Sequence, residues 1–237
     1  MQNSTQYFKS PRTAALFICD LHSTAARERK RRKLASLSPM LVPIDLLRPT
    51  QVAVGKRAVA AKREKVERRA DTPKKIIQFL EKRPIPAVLG PNDRFYIIDH
   101  HHLSLALLQS EVREAYVKVI EDLSYLTEGR FWKEMAAEGR VHPYNEAGQR
   151  ISFSWLPASL KELRTDHYRD LAWSVREAGG FQKTGAPYSE FRWAQFFRTR
   201  IAKSTVQRDF DWAHDRSMIL ARSNAAAHLP GFVGLPG

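Results

Sequence analysis

The 237-residue sequence predicts an α+β fold: a domain over residues 40–122 built on a small mixed sheet, then an all-helical domain over residues 150–237. Three observations predict it. Two short apolar runs bracket four turn-forming residues at Gly90-Pro91-Asn92-Asp93, the signature of a hairpin. An apolar stretch of helical length follows, and Tyr116-Val117-Lys118-Val119-Ile120 then reads as a further strand. Beyond Asp122 the strand signals fade and apolar residues recur at helical spacing.

Taken in order, residues 1–38 show no sustained periodicity and read as a basic, flexible arm ending near Leu37-Ser38-Pro39. Met40-Leu41-Val42-Pro43-Ile44 is a short β-like run, and Asp45 to Gln51 a turn-rich approach to the next element. Residues 56–69 carry Val59, Ala60 and Val66 at helical spacing among many charges, which predicts an exposed amphipathic helix. Thr72-Pro73 opens another, with Thr72 as N-cap, Pro73 in the first turn, and Ile76, Ile77 and Leu80 on its buried face. The hairpin joins Ala87-Val88-Leu89 to Arg94-Phe95-Tyr96-Ile97-Ile98-Asp99, and the helix from His101 to Gln109 is apolar nearly all round, hence buried. Residues 123–149 read as one helix and a linker. Further helices are expected over 157–178, 188–202 and 205–223, punctuated by Gly179-Gly180 and Gly185.

Composition bounds the function. Apolar residues make up 43% and charged residues 27%, the balance of a folded protein. No stretch approaches the ~18 apolar residues of a membrane span. One cysteine, Cys19, leaves no intramolecular disulfide and no Cys-based zinc site, and fits a reducing cytoplasm. The formal charge of +14 is uneven: residues 1–70 hold 16 Lys and Arg against 5 Asp and Glu, the rest 23 against 20. A basic arm of this kind can grip nucleic acid by counterion release, or merely solubilise the chain. The remainder, nearly neutral, is no evident nucleic-acid surface. The sequence leaves the oligomeric state open.

The most informative segment is Asp99-His100-His101-His102, where a strand runs into the buried helix. The first turn of a helix presents unpaired N–H groups and the positive end of its dipole, so such a junction can hold a phosphate. Asp99 could instead simply cap the helix. It could also hold a metal with at most two histidines, because consecutive helical residues diverge by about 100°. Gln51 could line the same pocket or be an ordinary turn amide. Asp211, His214 and Asp215 share a helical face at metal-ligand spacing or form an exposed polar cluster. Aromatics such as Phe191, Trp193 and Phe197 could stack on bases, but Phe191, Ala194, Phe197 and Ile201 trace a core stripe. No P-loop is present, and no Ser-His-Asp triad is indicated.

A hairpin whose second strand ends in Asp99-His100-His101-His102 before an apolar helix resembles the ParB/sulfiredoxin superfamily, and within it the ParB-like nuclease family. The resemblance extends to Leu47-Arg48-Pro49-Thr50-Gln51, to Asp166-His167-Tyr168-Arg169-Asp170, to Phe191 through Arg198, and to Leu229-Pro230-Gly231-Phe232. It implies an α+β fold whose strand-to-helix turn binds nucleotide phosphates. The better-understood branches act on CTP, on ATP with a cysteine, or as free-serine kinases. This chain departs from each: no arginine stands in residues 95–112, Cys19 lies in the arm, and His100 and Leu103 replace the Gly and Arg of the kinase motif.

The expected protein is thus a cytoplasmic nucleotide- or phosphate-binding one, with Mg²⁺ accompanying a nucleoside triphosphate. Asp99 is expected to orient a histidine or hold the metal, and His100, His101, His102 and Gln51 to contact the ligand. His101 would act as general acid or base near neutral pH. Alternatives are a metal-dependent nuclease on DNA, gripped by the arm, and a non-enzymatic partition or adaptor module.

Overall fold

Alternation along the central strands sets the architecture, because each strand feeds two cores. In the computed structural model, which describes residues 38–234, β4 (Ile85–Gly90) sends Ala87 and Leu89 to one face of the sheet and Val88 to the other. β5 (Arg94–Ile97) does the same with Phe95 and Ile97 against Tyr96. This is the period-two pattern of a strand buried on both sides.

The sheet has five strands in the order β1-β6-β4-β5-β2, with β1 at Met40–Pro43, β2 at Leu47–Pro49 and β6 at Glu114–Asp122. β4 and β5 form the expected antiparallel hairpin, with Asn92 and Asp93 of its turn both at positive φ. β4 and β6 run parallel, joined by the crossover through β5 and helix α3 (His101–Gln109). One face is covered by α1 (Lys56–Ala70), α2 (Pro73–Glu81) and α3, and the other by α4 (Glu128–Ala137), whose Phe131, Trp132 and Met135 pack under Val88 and Tyr96. A third core belongs to α5 (His167–Glu177), α6 (Ser189–Arg198), α7 (Lys203–Arg208) and α8 (Phe210–Arg222). At its centre Trp193 stacks on Phe181 at 4.2 Å and donates Nε1–H to the Pro230 carbonyl at 2.8 Å. The α+β class with a mixed sheet and following helices is the one the sequence indicates.

Several local expectations change. Leu47–Pro49 is a strand, not a turn: it pairs parallel with Phe95–Ile97 at the sheet edge, where a proline costs no ladder bond. Ile77 is 46% exposed, because the phase of α2 buries Phe79 and Leu80 instead. Thr72 occupies the N-cap position of α2 but its side chain makes no capping bond. The helix expected over 157–178 begins only at His167. Before it, Leu160–Glu162 forms a 3₁₀ turn and β7 (Arg164–Thr165) pairs parallel with β3 (Ala53–Val54). The helix expected over 205–223 breaks at Asp209, whose carboxylate caps α8 by accepting the Trp212 amide. The basic arm and Cys19 lie outside the described residues.

The two segments meet through specific bonds. The amides of Arg164 and Asp166 donate to the Val52 and Val54 carbonyls at 2.9 and 3.0 Å, and Leu160 and Leu163 complete the core under α3. Asp170, on α5, accepts the amides of Lys56, Arg57 and Ala58 and so caps α1. These ties bring α1 and α5 alongside each other, facing the histidine turn.

Candidate phosphate site at the histidine turn

The strand-to-helix turn is built with one residue in an unfavourable conformation. His100, at the N-cap position of α3, lies in the left-handed region with φ 64°, where side chains other than Gly are uncommon. Asp99 is therefore not the cap: it stands one residue earlier, exposed, and its Oδ1 accepts the His100 amide at 2.6 Å. No side chain caps α3 among the described residues, which leaves its first-turn amides without intrahelical partners. His100 also has a buried Nδ1 with no partner among the described residues.

His101 and His102 point elsewhere than expected. His101 Nε2 accepts the Thr50 amide at 3.1 Å, and His102 Nε2 accepts the Gly55 amide at 3.1 Å. Both imidazoles thus clamp the loop between β2 and α1 onto α3. An acceptor Nε2 places the proton of a neutral ring on Nδ1. Burial, reinforced by the nearby Arg169 cation, holds His101 down at about 3 and His102 well below its usual value. His101 is thus neutral across the physiological range with Nε2 already engaged, which removes the basis for an acid–base role near neutral pH. Gln51, 5% exposed, borders the cavity but donates its Nε2–H to the Ala53 carbonyl at 3.1 Å.

In front of the turn lies a cavity of about 740 Å³, within the usual range of ligand sites. Its walls are strongly basic. Lys62, Lys65 and Arg69 come from one face of α1, and Arg169 and Arg176 from one face of α5. Lys183 and Arg83 complete the ring. The cations crowd one another: Lys62 is held below its usual range by burial, then by Lys65, Arg176 and Lys183. The near-neutral net charge beyond residue 70 conceals this segregation.

Arg169 is the least conventional group in the cavity. It is 4% exposed, lies 3.6 Å over the Phe191 ring, and donates Nη2–H to Glu190 at 3.4 Å. Its Nε and Nη1 donors are buried with no partner among the described residues. Burial lowers it only to about 10, so it remains a cation. A buried charge with unused donors is costly unless something completes its bonding. Glu190 is shared with Arg176, which also pairs with Glu177, and the positive excess of the cavity comes from Lys62, Lys65, Arg69, Arg83 and Lys183.

Among the described residues no group of three or more His, Cys, Asp or Glu could hold a metal ion. The Asp211, His214 and Asp215 expectation thus finds no support; His214 Nδ1 instead bonds Ser174 Oγ at 2.9 Å. The predicted linker supplied what sequence reading passed over. His142 stands against Phe191, with ring centroids 3.7 Å apart, at the cavity wall. Ala194, Phe197 and Ile201 are core as expected, whereas Phe191 is half-buried and lines the cavity. No helix of the described residues is long and apolar enough to cross a membrane.

Comparison with known proteins agrees with this architecture. The crystal structure of protein Atu1540 from Agrobacterium tumefaciens superposes with a TM-score of 0.76 at 38% identity, covering 83% of this chain and 97% of that one. No curated protein matches the chain. A family model described as "Putative ParB-like nuclease" matches residues 40–199, and the chain belongs to that ParB-like family.

Proposed function

We propose that the basic cavity before the histidine turn binds a phosphate-bearing ligand, and that this ligand is a nucleotide or a nucleotide unit of nucleic acid. The observation that carries the reading is Arg169, a buried guanidinium whose Nε and Nη1 lack partners among the described residues at the wall of a cation-lined cavity. Phosphate oxygens match a planar fork of donors in a bidentate way, and the several cations around the cavity favour a ligand carrying more than one negative charge. Lys62, Lys65 and Arg176 supply further charge, and the first turn of α3 supplies amide donors. His100 and Asp99 border the ligand; His101, His102 and Gln51 hold the wall. Mg²⁺ would arrive with the phosphates, since Asp99 is a single carboxylate at the turn and the described residues hold no larger acidic cluster.

The test is thermal denaturation with each of the four ribonucleoside triphosphates and Mg²⁺. Stabilisation by at least one, absent in Arg169→Met, is the expected result. No shift with any of them, in a protein that also fails to bind nucleic acid, would overturn the reading.

A second reading, cleavage of DNA, draws on the family description alone. It requires a divalent ion, so cleavage should vanish with EDTA and in Asp99→Ala. Nucleotide binding without cleavage would support the non-enzymatic alternative.

A further inference from the structure

A second cavity of about 730 Å³ adjoins the first and shares Gly139, His142, Tyr188 and Phe191 with it. Its far walls carry Arg150, Arg192 and Arg200. None of these three pairs with a carboxylate among the described residues; only Arg198, bound to Asp166, does so there. The shared wall is aromatic. The His142 ring lies 3.7 Å from Phe191, 5.1 Å from Tyr188 and 4.6 Å from Tyr144. Tyr188 is anchored by its hydroxyl to the Gly139 and Val141 carbonyls, and it sits in the left-handed region at φ 56°. Such strain persists only where the surroundings over-determine it.

Cations, then rings, then cations form a sequence with a chemical counterpart. A polynucleotide carries successive charged phosphates with a flat base between them at each unit, whereas a mononucleotide would leave one of the two charged cavities empty. Phe191 is itself sandwiched between Arg169 and His142, so the ring left open to a base is Tyr144, 38% exposed at the second cavity. In a duplex the base faces are already stacked on one another, so such a platform between two cation groups selects an unpaired strand. We infer that the second cavity is a subsite for the adjoining nucleotides of a single-stranded nucleic acid, which crosses the Tyr188–Phe191 wall from the histidine turn. The inference rests on the phosphate reading of the first cavity and extends it.

Fluorescence anisotropy with a labelled oligodeoxythymidine of about 12 nucleotides tests it, because strand sites of this type span about 4–16 nucleotides. The comparison is between the full chain, Arg150→Glu/Arg192→Glu and Arg169→Met. Both substituted arginines of the double variant are exposed, and an unchanged melting temperature checks that it folds. Its affinity is expected to fall about tenfold or more, and its log–log salt slope to flatten by about 1.4, or about 0.7 per lost phosphate contact. Its stabilisation by nucleoside triphosphate should persist. Unchanged oligonucleotide affinity in the double variant would overturn the second subsite. So would equal or tighter binding of a duplex of the same length, or a wild-type protein stabilised by triphosphate that does not bind the strand; in that last case the first-cavity reading survives. Failure of both ligands would remove that reading as well.

Discussion

The Asp170 carboxylate accepts the Arg57 amide at 2.7 Å, across 113 positions of sequence. The same carboxylate takes the Lys56 and Ala58 amides, so the N-terminus of α1 is capped by a residue of α5. Two helices that each bring cations to the cavity are thereby locked in register. Burial pushes this carboxyl up to about 6, while the three amides pull the other way.

Removing the cap should cost stability and binding together. Asp170→Ala leaves three buried or half-buried amides without an acceptor, an expected loss of about 2 kcal/mol. Asp170→Asn keeps one acceptor oxygen and should fall between the two. Urea denaturation gives the energies. If Asp170→Ala loses less than about 0.5 kcal/mol, the cap is not what joins α1 to α5.

Gly55 is required by the same contact. A Cβ there would stand 2.5 Å from Asp170 Oδ1 and 2.9 Å from the Asp170 amide nitrogen. Gly55 also donates its amide to His102 Nε2, so the backbone cannot back away freely. Its φ of −77° is open to any residue, which makes this a test of space and not of conformation. Gly55→Ala should destabilise by about 2 kcal/mol or more and weaken triphosphate stabilisation. A neutral Gly55→Ala in a denaturant melt would show that α1 and α5 can part without loss.

Arg169 should separate stability from binding. Arg169→Met keeps most of the apolar stem over Phe191 and removes a buried cation with two unused donors. Removing one partner of a buried ion pair is costly when it strands the other charge, but Glu190 keeps its pair with Arg176, so here the loss removes a poorly satisfied cation and strands none. The unliganded variant should therefore melt at or above the wild-type temperature while losing stabilisation by triphosphate. Arg169→Lys keeps charge but not the planar fork and should bind weakly. A variant that melts well below wild type would assign Arg169 a structural role instead, most simply through Glu190.

Much of this arrangement was legible in the residues, and what was not has identifiable causes. The turn at Asp99–His102 stood out because a strand, an acid and a buried helix meet there. The hairpin was marked by Gly90-Pro91-Asn92-Asp93. The cations of residues 56–69 read as the exposed side of an amphipathic helix, although Lys62, Lys65 and Arg69 share a face at i, i+3 and i+7, as Arg169 and Arg176 do at i and i+7. That spacing shows a face, but only tertiary packing through Asp170 shows what it looks onto. β3 and β7 have two residues each, too few for any periodic signal, and exist because their backbones find each other. His142 looked like linker because Pro143, Asn145 and Gly148 surround it, although its amide bonds the Thr50 carbonyl at 2.8 Å. The bonds of His101 and His102 were hidden in the sequence for a different reason. Their ring nitrogens face backbone amides of a loop some 50 positions earlier, which no local pattern reports.

The two clamping histidines make acid stability a readout of their state. In the unfolded chain an imidazole titrates near 6.5, whereas burial holds folded His101 at about 3 and His102 well below the usual value. A group whose pKa is lowered by folding contributes stability that is complete above the unfolded pKa and is lost as pH falls toward the folded one. From about pH 6.5 down to about pH 5 the His101 ring should therefore forfeit about 2 kcal/mol, at about 1.4 kcal/mol per unit, and His102 acts in the same direction. His142, likewise held at about 3, adds to this loss, whereas the Asp170 carboxyl, raised to about 6, offsets part of it. The protein should therefore be less stable at about pH 5 than at about pH 7.5, with net proton uptake on unfolding. His101→Gln retains an acceptor near the Nε2 position but does not titrate, so its stability should depend on pH less steeply, by up to one proton. Urea melts of both proteins across this range measure the difference. Parallel pH profiles would mean that folded His101 is free to protonate, and the Thr50 amide would then need another acceptor.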